Sequence, residues 1–247
     1  MITLLANAIS QSLKKDQEFQ KLLDAWKRDR LPLEIEGLQG FFQAFLVSQL
    51  HQASMGTFFL VAPTEADAEV WAADLEALGV EVEVFPWWGT LLYQGISAQA
   101  SIFGERSRLL SLLARGKIKV LVLSLRSLLF PVPPPESWKP LLATFRKGNT
   151  IQVQKTAERL VKMGYLRVPR VTVPGEFALR GEVLDIYLPG DESAVRLVFG
   201  FDTIEELRRF HPVTQASIAV LDELVVYPAR EVIWEQDNLA NLEVWAQ

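Results

Sequence analysis

Along residues 3–28 the apolar side chains fall at Leu5, Ile9, Leu13, Phe19, Leu22, Leu23 and Trp26, spacings that line one side of one or two helices. Pro32 closes that segment. Beyond it, short β-rich runs alternate with helical stretches, the pattern of a parallel α/β sheet. Residues 33–36 read as a weak strand, 37–40 as a loop, and 41–51 as a helix that turns Phe42, Phe45, Leu46 and Leu50 toward the sheet. TFFLVA (57–62) and IKVLVL (118–123) are apolar runs of the kind that form strands buried on both faces. Residues 80–85 instead alternate Val with Glu, which predicts one wet face. Thr64 followed by Asp67 starts a helix in the manner of a capping box, and Gly79 stops it. An Arg- and Leu-rich helix spans 105–114 and ends at Gly116, and Ser124 is placed to cap a last short helix.

The run Pro131-Val132-Pro133-Pro134-Pro135 cannot continue a helix and marks a stiff linker, so a domain boundary is placed there. After it the texture changes. A helix over 154–163 stops at Gly164, and strands are expected around 165–173, 177–187, 194–199 and 204–210, separated by turns at Pro174-Gly175 and Pro189-Gly190-Asp191. The expectation is a helix packed on a mostly antiparallel meander, with residues 216–247 returning to the first domain.

Charge sharpens this division. Residues 139–215 hold twelve Lys and Arg against nine Asp and Glu, whereas the chain as a whole carries −5, so the second part is the basic one. An overall acidic chain argues against a nucleic-acid-binding surface that wraps the molecule. The lack of cysteine excludes disulfides, thiolate zinc sites and cysteine nucleophiles. The two histidines, His51 near a helix end and His211 before Pro212, offer no cluster for a metal or a catalytic triad. The N-terminus places its lysines after its apolar residues, unlike a signal peptide, and no apolar run approaches the ~20 residues that span a bilayer. A cytoplasmic protein without membrane contact is expected.

The segment Gly37-Leu38-Gln39-Gly40-Phe41-Phe42-Gln43-Ala44 sits between strand and helix, where a phosphate-binding loop would sit. A working loop reads G-x-x-x-x-G-K-[ST], because its glycines admit phosphate to the backbone amides, its Lys offsets the charge and its hydroxyl holds Mg²⁺. Here Phe42, Gln43 and Ala44 replace the second Gly, the Lys and the hydroxyl residue. The pattern alone leaves two readings open, an ordinary loop entering a helix or a disabled nucleotide loop.

Two longer motifs follow in the second part. Residues 173–187, VPGEFALRGEVLDIY, resemble the run PGEFxxRGxxxDIF shared by UvrB and the transcription-repair coupling factors. Val195-Arg196-Leu197-Val198-Phe199, then Asp202-Thr203-Ile204-Glu205 and 209–215 (RFHPVTQ), resemble their RxxFFxDxIExxRxFDxxTQ pattern. More loosely, 85–93 (FPWWGTLLY) is similar to the coupling factors' DWETLPYD stretch. The dozen residues between Tyr93 and the helix at Glu105 leave no room for UvrB's long DNA-clamping hairpin, which favours the coupling factors.

The resemblance implies an α/β fold: a degenerate RecA-like P-loop domain over 1–135, an inserted α+β domain resembling UvrB domain 2 over 136–215, and a return segment over 216–247. It implies no catalytic residue, cofactor or metal in this chain. The partner implied is UvrA, with RNA polymerase and DNA, and ATP-driven translocation, left to the rest of a longer protein. The family's two contact arginines fall on Arg180 and Arg196, and Phe199 and Phe201 are the candidate aromatic contacts, since Gly200 stands where the family has its second Phe. Read from the residues alone, either arginine could equally pair with Asp185 or Glu182 inside its own sheet. Arg106 and Arg115, in the first part, are expected to lie away from this surface. Two other functions compete: an ATP-dependent helicase domain, and a nucleic-acid-binding module that stacks bases on Trp87 and Trp88.

Overall fold

The computed structural model describes residues 2–54, 56–90 and 99–231. Part of the tryptophan-containing stretch (91–93) and half of the return segment (232–247) lie outside these residues. Tertiary contacts divide the chain into two compact units, residues 1–87 with 116–130, and residues 88–115 with 131–247.

In the first unit, α1 (Ile2–Leu13), α2 (Gln17–Lys27) and α3 (Phe41–Ala53) precede β1 (Phe58–Ala62), α4 (Glu65–Ala77) and β2 (Val82–Phe85). In α2 the Asp16 carboxylate caps the helix by accepting from the Phe19 N–H at 2.8 Å. Thr64 caps α4 as expected, accepting from the Asp67 N–H at 3.2 Å while its hydroxyl donates to the Asp67 carboxylate at 2.7 Å. In chain order α5 (Ala100–Ala114) follows, then β3 (Val120–Ser124) and α6 (Leu125–Leu129), the last capped by Ser124. β1, β3 and β2 form a parallel sheet in that order. Every residue of the central β3 is buried, which is why its sequence is an unbroken apolar run. Residues 33–36 form no strand. Glu34 and Glu36 are exposed there, and among the described residues no strand lies beside β1 on its open edge. Within α3 the buried face is Ala44, Phe45, Ser48 and Leu50, and Phe42 is exposed rather than directed at the sheet.

The second unit contains α5, α7 (Pro135–Trp138), β4 (Ala143–Arg146), α8 (Val153–Lys162) and the strands β5 (Leu166–Arg167), β6 (Glu176–Arg180), β7 (Val183–Ile186), β8 (Ala194–Gly200), β9 (Thr203–Phe210), β10 (Ser217–Val220) and β11 (Glu223–Val226). Six strands form one sheet in the order β10-β9-β8-β7-β6-β5, antiparallel except for β5 with β6. The run expected as a single strand over 177–187 is a hairpin, folded at Gly181 with φ +56°. Alternate residues of the strands, among them Phe177, Leu184, Leu197 and Leu207, pack in one cluster with Ala157 and Leu160 of α8 and with Met163 just after it. Their neighbours in sequence face the other way, where a smaller cluster of Val171, Ala178, Tyr187, Ala194 and Phe210 covers only part of the sheet.

Two elements join this unit from a distance along the chain. β11 pairs with β4, and Tyr165 donates to the Tyr227 carbonyl at 2.8 Å while Tyr227 donates to the Pro189 carbonyl at 2.6 Å. Burial pushes both phenols above the ordinary tyrosine range. α5 packs here as well. Gly104 approaches the Pro189-Gly190 turn so closely that a Cβ would lie 2.9 Å from the Gly190 nitrogen. Arg106, fully buried, donates from Nε and Nη2 to the two oxygens of Glu231 at 2.6 and 3.0 Å.

Arg106 is therefore a structural residue, unlike Arg115, which remains partly exposed and lies 3.7 Å from Glu223. Removing one partner of a buried ion pair leaves the other charge desolvated and alone, at a cost of about 3 to 5 kcal/mol, whereas an exposed pair contributes about 0 to 1 kcal/mol. Arg106→Ala is accordingly expected to lower the urea midpoint strongly and Arg115→Ala hardly at all. Equal midpoints for the two variants would refute this assignment.

Candidate partner-docking site

The two sequence motifs converge on one carboxylate. β6 and β7 pair so that Ala178 faces Asp185, and β7 and β8 pair so that Asp185 faces Arg196. Alternation along the strands then places Arg180, Asp185 and Arg196 on the face opposite α8. Asp185 is buried, its side chain 1% exposed. Its Oδ1 accepts from Arg196 Nε at 2.6 Å, and its Oδ2 accepts from Arg196 Nη2 and Arg180 Nη2, both at 2.8 Å. Arg196 Nη2 also donates to Gln215 Oε1 at 2.9 Å, and its guanidinium lies over the Phe210 ring at 4.5 Å. Hydrogen bonding to Asp185 holds the Arg196 guanidinium above its already high pKa, against the opposing effect of burial.

The arginines differ in exposure. Arg196 shows 16% of its side chain to solvent and Arg180 shows 49%. Both make the internal pairing with Asp185 that their strand positions allowed, and Glu182 forms no ion pair with either. With one carboxylate between two guanidiniums, the cluster retains a positive charge. Gln215, quoted in the second motif but given no role from sequence, reaches Arg196 because the turn after β9 folds back: its N–H donates to the His211 carbonyl and its φ is +62°. His211 is part of that turn, its Nδ1 accepting from the N–H groups of Val213 and Thr214.

The aromatic candidates separate. Phe199 is 4% exposed and packs in the main core, so its ring is not offered to a partner, because the β8 pleat directs it toward α8. Phe201 is 96% exposed at the tip between β8 and β9, with φ +54°. A bulky residue in that region is strained where Gly or Asn would not be. Glu176, by contrast, shapes its turn: its carboxylate accepts from the backbone of Thr172 and Val173 at 2.7 and 3.0 Å.

The other candidates lie elsewhere. Gly37 (φ +79°) and Gly40 (φ +56°) carry the loop into α3, whose first turn has no side-chain cap. Gln43 and Ala44 line a cleft of about 270 Å³ together with Ile35, Leu38, Leu60 and Trp71, and no cationic side chain is among its described lining residues. Arg126 covers the Trp87 ring at 4.6 Å and Arg106 the Trp88 ring at 4.2 Å, so neither indole is a bare stacking platform. His51 stands edge-on to Phe58. Among the described residues no group of His, Cys, Asp or Glu is arranged to hold a metal ion, and no helix is long and apolar enough to cross a membrane.

Residues 143–232 match the UvrB interaction domain, a span that opens on the first residue of β4 and contains the whole carboxylate cluster. The chain is 28% identical over 245 residues to a transcription-repair-coupling factor of Borreliella burgdorferi, an alignment covering 98% of this chain and 21% of that protein. This chain belongs with the UvrB-like region of the transcription-repair-coupling factors. A second coupling factor, from Myxococcus xanthus, is 35% identical over 217 residues, covering 84% of this chain and 18% of that protein. UvrABC system protein B of Treponema denticola is 33% identical over 151 residues, 59% of this chain and 22% of its own length. The chain thus spans about a fifth of the length of these relatives. For a chain of the coupling-factor family, its fold is mixed α/β, with a parallel sheet in one unit and a mainly antiparallel sheet in the other.

Strain at Phe201 has a measurable consequence. Replacing it by Asn, which tolerates this backbone region, is expected to leave the protein as stable as the parent or to stabilise it by about 1 kcal/mol. A fall in the urea midpoint would mean that the ring contributes to the fold.

Proposed function

We propose that the chain is a non-catalytic, UvrB-mimicking module of a transcription-repair coupling factor, and that its six-stranded sheet recruits UvrA in nucleotide excision repair. The observation that carries this reading is the meeting of both family motifs at Asp185, where Arg180 and Arg196 form a positive cluster on the sheet face left open by the core. The match of residues 143–232 to a domain described as a UvrB interaction domain supports the same placement. In this reading the first unit is a degenerate RecA-like P-loop domain. RNA polymerase, DNA and any ATP-driven movement belong to other parts of the longer protein.

The helicase alternative requires nucleotide at the loop before α3. There Ala44 is buried, Gln43 occupies the Lys position, and the adjoining cleft is lined largely by apolar side chains. Nothing in that lining offsets a triphosphate. Calorimetry with Mg-ATP is therefore expected to show no binding, and a micromolar Kd would sink this part of the proposal.

For docking, purified UvrA is the test ligand. Arg180→Ala is expected to weaken its binding tenfold or more while melting like the parent, because Arg180 is half-exposed and Asp185 keeps its bidentate partner. Arg196→Ala is expected to lose binding and stability together, since the buried Asp185 would be left with one exposed arginine, at a cost of about 3 kcal/mol or more. Parental affinity in a folded Arg180→Ala protein would show that this face does not dock UvrA.

A further inference from the structure

Within the second unit, α5 lines a cavity that the docking surface does not use. Arg108, Ser111 and Arg115, spaced three and four residues apart, share one side of the helix and border a cavity of about 240 Å³ whose other walls include Asp191, Arg209 and Glu223. Ser111 is 1% exposed, and its hydroxyl has no hydrogen-bond partner among the described residues. A buried O–H without an acceptor costs free energy, and an acceptor placed in the cavity removes that cost.

The charges around the cavity define the acceptor. Arg108 is committed to Glu105, to which its Nε and Nη2 donate at 3.0 and 2.7 Å. Arg209 is held through Nη1, which donates to Asp191 Oδ2 at 3.1 Å and to Ser193 Oγ at 3.2 Å. Glu223 Oε2 accepts from Arg146 Nε at 2.8 Å, while Arg115 Nη2 stays 3.7 Å from Oε1, beyond hydrogen-bonding distance. Each carboxylate of the lining is thus already paired, Asp191 with Arg209 and Glu223 with Arg146. The lining and its ion-pair partners hold four arginines against three carboxylates, and Arg115 and Arg209 keep N–H donors that no described residue engages.

We propose that this cavity is a site for a small tetrahedral oxyanion of the phosphate or sulfate class, held by the Ser111 hydroxyl and the guanidinium groups of Arg115 and Arg209. Such an ion supplies the acceptor that Ser111 lacks, and its negative charge is offset by the surplus arginine. Its oxygens point in several directions, which suits donors arriving from a helix and from β9, whereas a planar carboxylate is matched by a single guanidinium fork. The three arginines of the lining are partly exposed, so the ion enters from solvent. Once bound, it ties α5 to β9, elements about a hundred residues apart in the chain, and stabilises the folded unit.

The test uses inorganic phosphate and the whole chain. Titrated against chloride at fixed ionic strength, phosphate should raise the melting temperature along a saturating curve, by about 3 to 6 °C at ten times its Kd. General exclusion of phosphate from the protein surface gives instead a rise that grows without saturating. Ser111→Ala should melt no lower than the parent in chloride, because the hydroxyl it deletes has no bond to lose, yet its Kd for phosphate should rise about tenfold or more. Arg115→Ala should likewise melt close to the parent in chloride and lose phosphate affinity to the same degree. A rise that does not saturate, or a saturating rise retained in either variant, overturns the site. So does a Ser111→Ala protein that melts well below the parent in chloride, since the hydroxyl would then be holding the fold and not a ligand.

Discussion

A carboxylate withdrawn from water in the middle of a β-sheet must be met by hydrogen bonds and opposite charge, and Asp185 imposes that requirement on everything around it. Arg196 answers it with two bonds, which fixes the register of β8 against β7 as firmly as the hydrophobic alternation does. Gln215 and Phe210 then restrain Arg196, which draws the turn after β9 over the sheet. Arg180 is the one member of the set with half its side chain in solvent. A structural requirement in the sheet has thus produced an oriented, positively charged surface.

A second buried ion pair performs a different task. Arg106 and Glu231 are 125 positions apart and meet where neither is reached by water, so the end of the described chain is tied to α5. Together with the close approach of Gly104 to the Pro189-Gly190 turn, this pair assigns α5 to the second unit, although α5 precedes the proline run. Such pairs contribute little net stability compared with apolar packing, but breaking one is costly, which makes them effective at specifying a single arrangement.

Much of the local structure was legible in the chain. The unbroken apolar run of β3, the Thr64 and Ser124 caps and the stop of α8 at Gly164 follow from propensity, periodicity and backbone permissiveness, which act within a few residues. The two motifs were legible as well, and so was the choice each arginine faced between an internal carboxylate and an external one. Residues 33–36 show the limit of such reading: alternating Leu, Glu, Ile and Glu suits a strand, yet no strand among the described residues pairs with it. The 177–187 run shows another, because continuous β propensity does not say where a chain doubles back.

What the sequence determined by itself is the local character of its helices and buried strands, the basic character of the second part, and Gln43 and Ala44 where a phosphate-binding loop has its Lys and hydroxyl residue. What only the tertiary structure decided is which distant groups meet: β4 with β11, Arg106 with Glu231, and Arg180, Arg196 and Gln215 around Asp185. It also decided that Phe199 faces the core while Phe201, two residues on, faces solvent. The physical reason is the same throughout. Local pattern encodes the backbone of each element, but burial and charge pairing depend on what the folded chain brings within a few ångströms, and that distance has no fixed relation to separation along the sequence.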